Sequence, residues 1–474
     1  GSLTASAVAL SGEAARAVST QLCPDGAPLI RTEDGAWRLA GRFEKAGGTL
    51  DGADIRLARG AGRFALAGRG AAVEGSVDLT GVEAEDITAA RRFNPTTAEG
   101  RLTLAGGRAQ GRFLAGPSSA PRLAVITLAH DLRTGVGHAE VRADAVTFAK
   151  GALQPASISP LAAAARDAVG RVDFEGRFDW TPKGMTSGGQ IATGGLDFRS
   201  PLGAVRGAAG TIRLTSLAPL ETAPGQTLTV KSVDDAVAPL SDGAATFQVD
   251  AKGLALAAAD AAAAKGRISL EPMRVAFDDK AGIEGALLLS KVDLGVILAA
   301  SSLADSVKVE MTVDGRLPFT LGPDGFRFLQ GHVTASGPGR ISIARSALSG
   351  LNTGGAGAST GPAVNAVQDL AYQALENLAF DTLEADVASR PNGRLGMVFR
   401  IKGRFDPPKR QEANLGVADV ISGKAFQKAI PLPSDTPIDL NLDTSLNFDE
   451  LVRSLSAMWR QDADNSAAVQ PPPP

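Results

Sequence analysis

Three histidines, one cysteine and one serine in a glycine-flanked motif are the residues best placed by type to do chemistry. Their spacing does not bring them together. His130, His138 and His332 have no His, Cys or carboxylate at metal-ligand spacing, such as i, i+4 on a helix. His130 and Asp131 are neighbours, and neighbours on a strand face opposite sides. Gly357-Ala-Ser359-Thr-Gly361 fits G-x-S-x-G, but that motif needs a strand delivering the serine to a strained turn. Here the residues before it, 352–361, are a Gly/Ser/Thr/Ala loop. Asp173, Glu175 and Asp179 flank the stripe Phe174/Phe178 and read as a solvated strand face. Cys23, beside Pro24, is the single cysteine and has no internal disulfide partner. No phosphate-cradling G-x-x-x-x-G-K-[ST] occurs, and no G-x-G-x-x-G lies between a strand and a helix. The expectation is a protein with no catalytic residues, no metal and no cofactor.

Composition narrows the classes further. The chain has 474 residues, 55 of them glycine, with a formal net charge of −3. No Lys/Arg cluster stands out, which argues against a nucleic-acid binder. No run of about 18 apolar residues is present to span a bilayer as a helix. The opening Gly1-Ser2-Leu3 lacks the basic and apolar regions of a signal peptide, so the stretch reads as a fragment whose targeting segment lies elsewhere.

The elements that remain are strands. Apolar residues occupy every second position in Phe64-Ala-Leu66, Leu102-Thr-Leu104 and Val172 to Trp180. The same holds for Ile212-Arg-Leu214, Phe247-Gln-Val249, Ile268-Ser-Leu270 and Val275-Ala-Phe277. Period two gives each strand one greasy and one polar face. Asp34-Gly35, Asp51-Gly52 and Asp242-Gly243 read as hairpin turns. The fold class expected is mainly β: an elongated, curled antiparallel sheet, open as a trough, with a few short helices and a C-terminal β+α segment. Three regions follow: 1–290, a repetitive sheet groove; 291–460, strands with helices; 461–474, a disordered Pro-rich tail.

Helix signals are few. Pro160 to Val169 has Ser159 as N-cap and Gly170 as stop, and Ala257 to Ala264 is a weaker candidate or a hairpin tip. Lys291 to Ser306 begins as a strand and becomes a short helix. Pro362 to Leu378 and Asp449 to Trp459 carry amphipathic stripes. Between them lie strands Val307–Val313, Arg316–Leu321, Arg327–Ser336, Thr382–Ala388, Arg394–Phe405 and Ile438–Phe448.

The C-terminal half resembles the YdbH family. The likeness rests on Val292-Asp-Leu294 running into a helix, Asp314-Gly-Arg-Leu-Pro-Phe-Thr-Leu321 and Gly331 to Ile341. It continues in Ala374 to Phe380, Asn392 to Gly403 and Pro437-Ile-Asp-Leu-Asn-Leu442. It covers about 290–455 well, whereas residues 1–290 match only in style. Gly403-Arg-Phe-Asp-Pro407 departs from the family's G-x-N-P step. The resemblance implies a Gram-negative envelope protein related to AsmA and TamB proteins, periplasmic and anchored upstream in the inner membrane. It implies phospholipids moving along an apolar groove between inner and outer membranes, and a small outer-membrane lipoprotein partner at the C-terminal end. The family's "dicarboxylate transport" label finds no arginine-lined pocket in these residues.

On this reading the groove is lined by Phe174, Phe178, Trp180, Ile212, Leu214, Phe247, Val249, Ile268, Leu270, Val275 and Phe277. Ile438, Leu440 and Leu442 form a final edge strand open to strand addition by the partner. Two other readings remain. One is a non-catalytic envelope scaffold whose same residues fill a closed core, since periodicity alone does not separate trough from sandwich. The other is an enzyme on envelope polymers, with two carboxylates at hydrolytic separation.

Overall fold

The computed structural model describes residues 1–10, 13–70, 72–88, 91–200, 203–234, 239–276, 282–299, 301, 304–322, 325–345, 370, 372–390, 394–411 and 432–447. It is mostly strand. Its 28 strands belong to one antiparallel sheet that does not close, accompanied by a few short helices. Two compact units divide the chain: Gly1–Thr229 with Gln248–Ala251, and Val230–Phe247 with Lys252–Pro474.

The first unit is a meander. It runs through β1 (Ser2–Leu10), β2 (Glu13–Cys23), β3 (Ile30–Glu33), β4 (Ala36–Leu50), β5 (Ile55–Arg69), β6 (Ala72–Asp86) and β7 (Thr96–Ala105). It continues through β8 (Arg108–Pro117), β9 (Ala124–Asp131), β10 (Val136–Phe148), β11 (Arg166–Thr181), β12 (Gly184–Ser200), β13 (Gly203–Leu217) and β14 (Leu220–Thr222). From β4 to β14 each strand pairs antiparallel with the next. Turn chemistry sets several of these hairpins. Asp34 and Gly35 both take positive φ (47° and 77°) in a two-residue loop that puts Glu33 opposite Ala36. That is the geometry whose twist matches a hairpin, and Asp-Gly is among the pairs best suited to it. Asp242-Gly243 behaves differently. It lies inside β16 (Leu240–Asp250), which follows β15 (Gln226–Asp234), so the turn expected there is absent.

Register shifts recur along the meander, at Phe43/Ala46, Ala58/Ala61, Leu79/Val82 and Ala143/Val146. Each bends its strand and increases the local twist.

The helix expected over Pro160–Val169 does not form. Ser159 does accept a hydrogen bond from Leu161 N, but the turn it caps is a 3-10 helix of three residues, Pro160–Ala162. Arg166 already opens β11, where Val169 faces Asp197 and Gly170 faces Leu196. Pairing along β12 overrides the alanine propensity. A four-residue helix, α1 (Pro155–Ile158), precedes the turn. Leu153 and Ile158 pack with Leu196 and Phe198 on buried Ala143, Val146, Phe148 and Ala168.

One buried charge ties this corner together. Asp86 is 1% exposed and accepts hydrogen bonds from Thr88, from the Arg92 backbone and from the Arg92 guanidinium. Arg92 also donates to Ala53 O, and its own carbonyl accepts from Ser159. Burial alone would raise the Asp86 carboxyl, but the Arg92 and Thr88 donors hold it far below the ordinary 3.8.

In the second unit, after the parts of β15 and β16 that belong to it, comes β17 (Gly253–Ala263), a strand where the alanine run had suggested a helix or a hairpin tip. Along it lie β18 (Gly266–Leu270) and β19 (Met273–Ala276). β20 (Ile283–Asp293) leads into α2 (Leu294–Ala299), the short helix expected there, and then β21 (Val307–Glu310). β22 (Thr312–Gly322) pairs with β20, β23 (Gly325–Phe328) and β24 (Gly331–Ala335). β25 (Gly339–Ile343) pairs with β21 and β26 (Leu378–Ser389). β27 (Arg394–Phe405) and β28 (Pro437–Asn447) finish the described chain, close to the bounds read from sequence. Part of the Pro362–Leu378 stripe is helical, at residues 372–376, while the rest of that helix and all of Asp449–Trp459 lie outside the described residues. No helix among the described residues is long and apolar enough to cross a membrane.

Replacing Asp86 by Ala leaves the half-buried Arg92 guanidinium without its carboxylate partner. The variant is expected to lose about 3 kcal/mol in chemical denaturation near neutral pH. Because the folded carboxyl titrates below its ordinary value, this contribution is complete above about pH 4 and declines as pH falls further. A pH series of unfolding midpoints, wild type against variant, should therefore converge in acid.

Candidate functional site

The pairing registers of the first unit assemble one apolar row from residues far apart in sequence. Leu22 faces Phe43, which faces Gly62, then Leu79, Gly100 and Phe113. From Phe113 the row continues through Ile126, Val141, Gly176 and Gly189 to Leu214. Directly opposed residues share a face, so eleven positions form one line of apolar side chains and glycines. A parallel row runs through Gly41, Phe64, Val77, Leu102, Gly111, Leu128, Ala139 and Phe178.

The other face is charged. Arg42, Arg63, Asp78, Arg101, Arg112, Thr127, Glu140 and Arg177 stand opposite one another in order. Arg177 pairs with Glu140 at 2.6 Å and with Asp179 at 2.8 Å, and Arg101 pairs with Asp78 at 3.3 Å. The Arg177 guanidinium holds Asp179 below the usual carboxylate range. A depression on this side is lined by Glu140, Arg142, Glu175, Arg177 and Asp179. Each of those charges has an opposite partner, Arg142 with Glu175 included. They make a solvated ladder, and no carboxylate there is left unpaired to act as acid or base.

Glycine on the apolar face has a specific use. Aromatic rings come close to the glycine opposite: Phe43 to Gly62, Trp37 to Gly68, Phe113 to Gly100 and Trp180 to Gly137. A methyl added at Gly62 would collide with the Asp78 carbonyl oxygen and lie 2.7 Å from Phe43 Cζ, and at Gly137 it would lie 2.6 Å from Trp180 Cε2. Each of these rings occupies space that a side chain on the neighbouring strand would need. The rings are half-buried, and among the described residues no second layer packs on the middle of the row. Leu79, Phe113, Ile126 and Val141 belong to none of the buried clusters, and α1 touches β8 and β11 near one end.

The second unit repeats the pattern with a different outcome. Ile268, Leu289, Gly315, Val333, Ala385, Phe399 and Leu442 form an apolar row. Here the face is covered. Val292, Val313, Leu317 and Val333 are buried with Ile297 of α2 against them, and Leu375 packs with Leu378, Phe380, Leu383 and Ile401.

The residues singled out from sequence fall as follows. Phe174, Phe178 and Trp180 lie on one face of β11. Phe174 shares a row with Ile191 and Ile212, and Leu214 ends the long row. Phe174 also packs on the α1 cluster. Phe247 and Val249 are half-buried in β16, and Val249 N donates to Thr222. Ile268 and Leu270 face Leu289 and Leu287, and Val275 faces Leu254. Phe277 and the Ser359 motif lie outside the described residues. Ile438, Leu440 and Leu442 face Gly403, Ile401 and Phe399, and among the described residues β28 is paired along one edge only. His332 sits 2.9 Å from Asp386 on the polar side. Among the described residues no group of His, Cys, Asp or Glu is placed to hold a metal ion.

A family model described as "YdbH-like: Intermembrane phospholipid transport protein YdbH" matches residues 10–459. The chain belongs to this family. No match exists among curated proteins or among solved structures. Family membership supports a role in lipid transport. The match includes residues 10–290, where the resemblance had been one of style.

Sequence reasoning missed most of the row: Leu22, Phe43, Leu79, Phe113, Ile126 and Val141. Glycine interrupts the alternation in the strands of Phe43, Leu79, Phe113 and Val141, and the strands of Leu22 and Ile126 show no clean alternation of apolar with polar residues. An aromatic facing a glycine across a hairpin is the signal that would have found them.

If the first unit's face has no protein layer over it, truncating it costs little. Phe113→Ala should destabilise by less than half as much as Phe380→Ala, which removes a fully buried ring and should cost about 3–5 kcal/mol. Urea unfolding of the two variants measures the difference.

Proposed function

We propose that the chain carries phospholipids between inner and outer membranes by holding their acyl chains against the apolar face of its first unit. The observation that supports this most is the eleven-position apolar row, over whose middle no layer packs among the described residues. Each CH₂ taken from water by such a face gains about 0.8 kcal/mol, so greasy walls suffice and no catalytic group is needed. In this reading Phe174, Phe178, Trp180, Ile212 and Leu214 are wall residues of the first unit. Phe247, Val249, Ile268, Leu270, Val275 and Phe277 are further contacts. The protein works in the periplasm as a bridge, held at one end by an inner-membrane anchor, and carries out no covalent step.

At the other end the proposal assigns β28 to a small outer-membrane lipoprotein that adds a strand. Ile438, Leu440 and Leu442 alternate with exposed polar residues there, and the described structure offers the edge opposite β27. Main-chain hydrogen bonds would supply affinity, and the alternate side chains would set the register.

Phe178→Asp tests the face. It should abolish lipid transfer and co-purification of phospholipid, read by native mass spectrometry, while the melting curve stays close to wild type. Wild type without lipid, together with an unfolded variant, would instead favour the closed-core scaffold. Leu440→Pro tests the edge: it removes one backbone donor and should eliminate capture of the lipoprotein while the first unit keeps its bound lipid. Undiminished capture would remove β28 from the proposal.

A further inference from the structure

The apolar face of the first unit carries one imidazole. His130 sits in a row with Leu104, Ala109, Gly137, Trp180 and Met185. It lies one residue from the end of β9, and Trp180 lies one residue from the end of β11. The pair therefore stands at the edge of the face, where the hairpin turns begin. The two rings are stacked, 6.0 Å between centroids at 29°, and Trp180 Nε1 donates to His130 Nδ1 over 3.0 Å. Indole nitrogen is a donor only, so Nδ1 must accept, and the imidazole carries its proton on Nε2. That Nε2–H has no acceptor among the described residues.

We propose that His130, oriented by Trp180, is the docking point for the polar end of the lipid. Its Nε2–H donates to an acceptor oxygen at the glycerol–phosphate junction, an ester carbonyl or a phosphate oxygen. The inference rests on the reading of this face as a carrier of acyl chains. A phospholipid lying on the face changes from CH₂ to oxygen at its edge, which is where the imidazole stands. A lipid covering this N–H strips it of water, and a buried donor left without an acceptor is costly. The pair therefore favours lipids that present an oxygen at that level and holds their acyl chains in register with the rows behind it. Gly137 between the two rings is part of the device, since a side chain there would displace the indole.

The test compares the full chain with His130→Phe, which keeps an aromatic ring, and His130→Gln, which keeps an N–H donor. Each is incubated with vesicles containing diacyl phosphatidylethanolamine, its dialkyl-ether analogue or diacylglycerol, and lipid retention is read by native mass spectrometry. His130→Phe should retain the diacyl phospholipid about fivefold less than wild type, the size of one hydrogen bond. His130→Gln should restore most of that retention. An ester acceptor lowers diacylglycerol retention in His130→Phe and spares the ether lipid; a phosphate acceptor does the reverse. Equal retention of all three lipids by wild type and His130→Phe overturns the docking point and leaves acyl carriage standing. Wild type that retains none of them overturns the carrier reading itself. Trp180 fluorescence, with Trp37 and Trp459 replaced by Phe, locates the lipid independently. A quencher near the glycerol should act more strongly than a mid-chain bromine, and the opposite order would rule out an edge contact.

Discussion

The structure of the first unit depends on keeping the apolar side of a one-layer sheet out of water. Apolar surface left exposed forfeits about 25 cal/mol per Å², and ordinary sheets avoid this by packing a second layer on top. This unit instead sets its large rings against the sheet itself. Phe43, Trp37, Phe113 and Trp180 each come close to a glycine on the neighbouring strand. Glycine within a strand weakens it by itself, but here it leaves the space that a ring occupies. The charged side fixes the same register from behind. A slip of one residue would carry Arg63 or Arg101 to the greasy face and Phe64 or Leu102 to water.

The second unit shows that alternation does not decide whether a face is left open. Its row from Ile268 to Leu442 obeys the same period, yet α2 and the helical residues 372–376 bury much of what lies around it. Phe380 and Phe405 are almost wholly inaccessible there. The difference lies in the connections: the hairpins of the first unit are mostly short, while the second unit carries Leu294 to Ala299 out of the strand register and across the face.

Much of the fold was legible because period two and hairpin chemistry are local. β27 was read to the residue, and β28 and α2 closely, from alternation and its interruption. The failures share a cause. Pro160 to Val169 and Ala257 to Ala264 have good helix formers, and the first has a cap as well, but Arg166 and Val169 pair with β12 and Ala259 to Ala263 with β18, so strand pairing takes residues that a helix would need. Asp242-Gly243 has turn composition inside a continuous strand. The face itself was only partly legible. Its centre is assembled from several strands that each give one or two large side chains, with glycine or alanine beside them, so it becomes visible only when the registers are known. Phe174, Phe178 and Trp180 stood out because β11 is the strand that carries three rings on one side.

Rings set against glycine bear on what the face can recognise. Side chains that interdigitate with a protein layer stand up from a sheet and fix one partner in one position. Rings set against glycine leave a face built of apolar side chains and bare backbone in repeated rows. On the proposed reading, such a wall would hold acyl chains without selecting among them or anchoring them at one place. Selection has to come from groups at its margin. On the edge where β9 and β11 reach their turns, His130 is the polar side chain that the registers bring onto the apolar side, and Trp180 fixes which of its nitrogens carries the proton. An apolar interior with polar contacts confined to its edge suits a cargo whose own chemistry changes at one point along its length.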